Sequence, residues 1–281
     1  MSHRTEKSFW DPEELQAVLN TRNLGHNLIV FNRVGSTNEF LKRLARRGAE
    51  AGTTIIADEQ TAGRGRLGRR WHSAPGKGLW FSFLLRPELE TEKVGLISLA
   101  IAAVLAEAIS HACHLECTVK WPNDVLISGK KVCGILCETQ ISPTGVDSII
   151  AGVGLNVNHR YDDFASEWRP HATSLMLASG NLWDRKTLFV KLVSAFDQNL
   201  CERLPDKLAA LVEKWCGRCP ALGHTITVIP APSAPHHRHD EPTTGIFAGI
   251  GEGGELMLRM PAGDLRFFAA GEITLPKAQS W

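Results

Sequence analysis

Glu59-Gln60-Thr61-Ala62-Gly63-Arg64-Gly65-Arg66-Leu67-Gly68-Arg69-Arg70-Trp71 has neither the 3.6-residue period of a helix nor the alternation of a strand. Four arginines sit among three glycines. Glycine lets backbone N–H groups approach an anion closely, and guanidinium groups pair bidentately with carboxylate or phosphate. The spacing is not G-x-x-x-x-G-K-[ST], so this is no Walker A loop. Taken alone, the segment reads equally well as a solvated basic surface. With three glycines and no regular pattern, it is expected to be mobile when free and to order over a ligand.

The segments on either side narrow the choice. Residues 28–31 and 53–58 read as short buried strands. Between them Ser36-Thr37-Asn38-Glu39 opens a helix that Gly48 closes, with Ser36 placed to cap. The cap explains Ser36 by itself, yet its neighbours can still face a ligand at the helix start. Downstream, 79–85 reads as a strand and 94–113 as an Ala/Leu/Ile-rich central helix. Lys120-Trp121-Pro122-Asn123-Asp124 packs a cation, an amide and a carboxylate at a strand end, although Pro-Asn-Asp also makes an ordinary turn. Strands at 125–127 and 131–138 flank a hairpin turn at Ser128-Gly129-Lys130. Gly134 in one strand, and Gly152 and Gly154 in the strand at 148–157, suggest close approach by a ligand or another chain segment. Helices follow around Phe189 to Leu200 and over 206–216.

Composition bounds the rest. The chain has 281 residues, enough for one large domain and a small one, and 43% apolar residues supply a core. Lys and Arg number 31 against 30 Asp and Glu, a balance that argues against coating nucleic acid or anionic membrane. The longest apolar run, from Leu96 to Ala106, is interrupted by Ser98 and stopped by Glu107, short of the roughly 18 residues of a spanning helix. The N-terminal MSHRTEKSFW has no apolar h-region, and seven scattered cysteines fit free thiols, so a cytoplasmic location is expected. Cys216-x-x-Cys219 near Cys201 lacks a second pair with zinc spacing, and no protein-only metal site is expected. From Gly223 onward, short strands (225–229, 245–250, 255–260, 264–269, 272–275) read as a small barrel interrupted by a Pro/His-rich loop at 231–240.

Taken together, the motifs resemble biotin protein ligases, the biotin–[acetyl-CoA-carboxylase] ligases. The resemblance rests on Ser36-Thr37-Asn38, on Glu59 to Arg66 with Gly68, and on Lys120-Trp121-Pro122-Asn123-Asp124. It also rests on Lys131-Val132-Cys133-Gly134-Ile135-Leu136-x-Glu138 and on Gly152-Val153-Gly154-Leu155-Asn156. Any one motif is weak, but five in the family's order are specific. The resemblance implies an α+β fold: a class II aminoacyl-tRNA synthetase/biotin-lipoate ligase-like catalytic domain, a mixed sheet with helices, followed by a small SH3-like β-barrel. Domain limits are expected at 1–24 (a helical leader), 25–218 (catalytic) and 219–281 (barrel). The leader is too short for the winged helix of the family's bifunctional repressors, so only the ligase role is expected to carry over.

The implied chemistry joins biotin to ATP as biotinyl-5′-AMP, with Mg²⁺, then passes biotin to a lysine of a carrier. Carried over by motif, Ser36, Thr37, Asn38, Gln60, Gly63, Arg64, Gly65, Arg66, Lys131, Gly134 and Gly154 would form the biotin site. Arg66, Trp71, Lys120, Asn123, Asp124 and Asn156 would form the ATP site, with Arg66, Lys131, Lys120 and Asp124 catalytic. The implied partner is the biotin carboxyl carrier domain of a biotin-dependent carboxylase, with neither membrane nor specific DNA. The resemblance leaves a homodimer open.

Overall fold

The computed structural model describes residues 9–143, 145–201, 204–231 and 241–274. Most of the Pro/His-rich loop, residues 232–240, and Leu275 at the end of the last expected strand lie outside the described residues.

Asp11 caps helix α1 (Pro12–Val18), accepting from the N–H groups of Glu13 and Glu14 at 2.9 and 3.2 Å. Leu15 on this helix and Leu24 after it are fully buried in the main core. Asp197 fastens the connection, accepting backbone N–H bonds from Arg22, Asn23 and Leu24 at 2.7–2.9 Å. Strand β1 (Leu28–Val34) leads to α2 (Thr37–Ala45), then to β2 (Thr54–Gln60) and β3 (Gly78–Leu85). Helix α3 (Gly95–Cys113) precedes β4 (Thr118–Lys120), β5 (Asp124–Ile127), β6 (Lys130–Ser142) and β7 (Gly145–Asn156). The seven strands form one sheet in the order β1-β2-β3-β7-β6-β5-β4. Only β1 and β2 run parallel, as the α2 crossover between them requires; the other neighbours are antiparallel. This is the mixed sheet that the resemblance implies. The β5–β6 hairpin turns on Ser128 and Gly129, both at positive φ (48° and 75°).

Helix α3 is long and apolar enough to cross a membrane by length and composition, a signal the interrupted run hides. Twelve of its residues are buried, however, and it packs against the sheet, α5 (Arg185–Phe196) and α6 (Leu204–Gly217) as the core helix. A short helix α4 (Leu175–Ser179), capped by Ser174, has no counterpart in the sequence reading.

Five strands complete the chain: β8 (Thr225–Pro230), β9 (Thr243–Ile250), β10 (Leu256–Arg259), β11 (Leu265–Phe268) and β12 (Gly271–Thr274). They form an antiparallel sheet in the order β11-β10-β9-β8-β12, the arrangement of a small barrel-like domain. It docks tightly on the first domain. A Cβ on Gly95 would lie 2.2 Å from the Gly253 carbonyl, and the Trp121 indole donates to the Gly254 carbonyl at 3.2 Å.

Candidate active site

The arginine loop leaves β2 and folds back on itself. Gly65 N–H donates to the Arg69 carbonyl at 2.7 Å, and Trp71 N–H to the Gly63 carbonyl at 2.9 Å. Arg64 and Arg70 form a bridge beyond a one-turn 3₁₀ segment at Arg66–Gly68. The return brings the Trp71 indole over the floor of the site. That floor is the directly paired Gly134 on β6 and Gly154 on β7. A Cβ on Gly154 would stand 2.6 Å from Trp71 Nε1, and one on Gly134 would stand 2.9 Å from Trp71 Cζ3. Trp71 Nε1 is buried with no hydrogen-bond partner among the described residues.

Beside the indole lies a cluster of charge. Lys131 Nζ sits 2.6 Å from Asp124 Oδ1 and 5.2 Å from the Trp71 ring centroid. Burial lowers the Lys120 ammonium's pKa; the charges of Asp124 and Glu272 oppose that shift, and Lys131 adds to it. Burial likewise lowers the Arg66 guanidinium, again opposed by Asp124 and Glu272. Counting Arg69, four cations thus face two carboxylates, and the surplus is positive. Glu272, on β12, also pairs with Arg69, so the second domain contributes to the rim of the site.

On the other side of the floor is a neutral cradle. Gln60 Oε1 accepts from Thr37 N–H at 2.8 Å and lies 3.1 Å from Thr37 Oγ1, while its Nε2 donates to Ser73 at 3.0 Å. Asn38 Nδ2 donates to the Leu136 carbonyl and to Glu138 Oε2, both at 3.1 Å. Gly152 is the position that admits Asn38, since a Cβ there would lie 2.1 Å from Asn38 Oδ1. Thr37 and Asn38 are buried, and so is Ser36, which caps α2.

The remaining expected site residues sit further out or are tied to the backbone. Arg64 is exposed at the mouth, paired with Glu39 at 3.2 Å. Asn123 Nδ2 donates to the Ile135 carbonyl at 2.6 Å, joining the β4–β5 turn to β6. Asn156 is buried and donates to the Thr173 carbonyl at 3.1 Å. Sequence reasoning passed over Ser82, Glu138 and Glu272 as site residues. A lone hydroxyl in the apolar run 78–85 signals Ser82, and alternation from Gly134 puts Glu138 on the same face of β6. Nothing local marks Glu272, which comes from the other domain. A groove of about 840 Å³ lies elsewhere, around Arg86 and Asp147. Arg86 there is already bonded to the Ala45 and Ala49 carbonyls and to Asp147, which occupy its guanidinium.

This layout of a cradle, a glycine floor and a cation cluster coincides with residues 30–156, which match the profile of the Biotin/lipoate A/B protein ligase family. Over 236 residues the chain is 34% identical to the biotin–[acetyl-CoA-carboxylase] ligase of Paracoccus denitrificans, covering 82% of this chain and 93% of that one. The chain belongs to this family. It is also 40% identical over 185 residues to the bifunctional ligase/repressor BirA of Bacillus spizizenii, covering 66% of this chain. That match spans 57% of the Bacillus protein's length. Among solved structures, the biotin protein ligase of Aquifex aeolicus in complex with biotin and ATP superposes with a TM-score of 0.72 at 33% identity. The match covers 89% of this chain and 98% of the Aquifex chain, so the resemblance runs through both sheets. The α+β fold and the family expected from the motifs therefore both hold.

Proposed function

We propose that this chain is an ATP-dependent biotin protein ligase. The observation that carries the reading is the pairing of a neutral cradle (buried Thr37, half-buried Gln60) with a cation cluster (Arg66, Lys120, Lys131) across one glycine floor. Biotin has the matching halves, a ureido ring that needs hydrogen-bond partners and a carboxylate that needs positive charge. The cyclic disulfide of lipoate offers the cradle no N–H and no carbonyl, and would leave it unsatisfied.

In the proposed reaction, a biotin carboxylate oxygen attacks the α-phosphorus of ATP, and the α–β phosphoanhydride bond breaks to release pyrophosphate. Both reactants are anions, so the barrier is lowered mainly by positioning and by fixed positive charge. Lys131 and Arg66 would stand at the carboxylate and α-phosphate, and Lys120 on the nucleotide side. Trp71 would separate the biotin and adenine halves. The amine of a carrier lysine then attacks the mixed anhydride, forming an amide and expelling AMP. No three His, Cys, Asp or Glu side chains converge among the described residues, so magnesium is assigned to ATP as its phosphate complex. Asp124 is the carboxylate placed to meet it, and the ion would neutralise phosphate charge. The decisive test is pyrophosphate release with MgATP plus biotin against MgATP plus lipoate, followed by transfer to a carrier domain. Release with lipoate alone would refute the biotin assignment.

A further inference from the structure

The antiparallel ladder between β2 and β3 ends at the Ala57–Trp80 pair. Beyond it the arginine loop leaves the sheet and returns through the Gln60–Ser73 and Arg64–Arg70 bridges. Its root is held by a residue that belongs to none of the site motifs. Arg185, in the first turn of α5, donates from Nη1 to Asp58 Oδ1 at 2.7 Å and to the Gly78 carbonyl at 3.1 Å. That nitrogen carries two hydrogens, so each has its own acceptor, one on β2 and one on β3. Asp58 Oδ1 also accepts from Gly76 N–H at 3.0 Å, so a single carboxylate oxygen ties the outgoing strand to the returning segment.

The root is sheltered. The rings of Phe9 and Trp10 stand 5.8 and 5.7 Å from the Arg185 guanidinium carbon, and the side chains of Arg185 and Asp58 keep only 17% and 19% of their exposure. A charge-assisted bond shielded from water in this way is stronger than one at the surface. Both strands of the root lead into the site. Gln60, two residues beyond Asp58, accepts from Thr37 N–H in the neutral cradle. Gly78 pairs with Asn156 on β7, and the neighbouring Lys77 carbonyl accepts from Val157 and Asn158 at 3.3 and 2.7 Å. The cradle side and the Asn156 side thus diverge from one guanidinium, which itself bonds to neither.

We infer that Arg185 is a positioning residue for the arginine loop. Through Asp58 and Gly78 it fixes the separation of the loop's two ends, so that Arg66 and Trp71 close over biotinyl-AMP and retain it. Pinning the ends removes the open arrangements in which they lie apart, and so lowers the entropy lost on closure. The inference rests on the ligase reading above and assigns the device that sets its loop.

The experiment uses the full chain and two readouts: trypsin cleavage within residues 64–70 without ligand, and dissociation of biotinyl-AMP formed on the protein. Arg185→Met, which keeps an apolar stem against Phe9 and Trp10, should speed both about tenfold, the loss of one charge-assisted bond. Arg185→Lys, which keeps a charge with donors for Asp58 and Gly78, should recover most of that loss. Asp58→Ala should behave as Arg185→Met does, and the double variant should be no worse than either alone, because the two act as one unit. Phe196→Leu, at the other end of α5 against Phe81 and Phe83, lowers overall stability and should leave both rates within about twofold. If Arg185→Met does not fold, Trp10→Ala, which uncovers the guanidinium, decides by speeding both rates about threefold or by leaving them unchanged. Unchanged rates, acceleration of one without the other, or equal acceleration by Phe196→Leu would overturn this inference alone. Wild type that forms no biotinyl-AMP would overturn the ligase reading and this inference with it.

Discussion

Removing the Lys131 charge should slow adenylate formation far more than it weakens biotin binding. The variant to make is Lys131→Met, because the ammonium lies 5.2 Å from the Trp71 ring centroid and Met keeps an aliphatic stem against that indole. Lys131→Ala, alongside it, separates lost charge from lost packing. In the free enzyme Lys131 is already paired with Asp124 at 2.6 Å, so part of its charge is neutralised before substrate arrives. As the carboxylate and the α-phosphate close on each other, negative charge concentrates and a cation beside them gains most. A unit charge about 4 Å from developing charge is worth on the order of 4 kcal/mol at an effective dielectric of about 20. The Lys131 side chain keeps 32% of its exposure, so solvent screening lowers that to about 2–3 kcal/mol. The expected result is a kcat for pyrophosphate release roughly 30- to 150-fold lower, with the dissociation constant for biotin, measured by calorimetry, changed by less than about threefold. Equal kcat with a raised KM for biotin would refute the reasoning and make Lys131 a ground-state binding residue.

Three further outcomes are expected. Arg66→Gly should still form the adenylate but release it, and stray biotinylation of a non-carrier protein mixed with the variant should exceed wild type; no excess would show that the arginine loop does not retain the intermediate. His159, buried between Trp80 and Phe164, is pushed down to about 4 from 6.5 by burial. The unfolded chain binds its proton first, so this stabilisation is complete above pH 6.5 and falls by about 3 kcal/mol as pH drops towards 4. His159→Phe should flatten that part of the pH–stability curve in urea melts, and an unchanged slope would show that the histidine is not its source. Finally, α1 should not serve as a DNA recognition helix, since Leu15 on it is buried in the main core; a footprint by these 281 residues that is lost on substituting the exposed α1 residues Glu13 and Glu14 would refute this.

Much of the fold was legible because the first domain follows local rules. Asp11 and Ser36 cap the helices they precede, and Ser128-Gly129 turns the expected hairpin. The parallel pairing of β1 and β2 was not legible, because a parallel ladder is set by the crossover and leaves no local mark. Nor was the place of the leader, whose docking depends on Asp197, more than 170 positions away, collecting three backbone N–H groups. Membership of the cation cluster could be read one residue at a time, but its sign balance could not. Glu272 enters from a different domain, and only the packed structure places it near Arg66 and Lys120.

The glycines of β6 and β7 show how sequence and site are linked. A glycine within a strand weakens it, and taken singly Gly134, Gly152 and Gly154 look like defects in an otherwise buried sheet. Each proves to be the imprint of a side chain from another element. Gly152 makes room for Asn38 from α2, while Gly134 and Gly154 together make room for the Trp71 indole from the arginine loop. The floor therefore requires both neighbours to arrive, one bringing the neutral cradle and the other the arginines. A Cβ at Gly154 would push on the indole, and one at Gly152 would push on Asn38 and through it on Ser82 and Thr37. Gly154→Ala should accordingly disturb the Trp71 side of the floor and Gly152→Ala the recognition of the ureido ring. Separate defects, one in the Michaelis constant for ATP and the other in that for biotin, would show that the floor joins two independently built half-sites. The same defect from both substitutions would show that it does not.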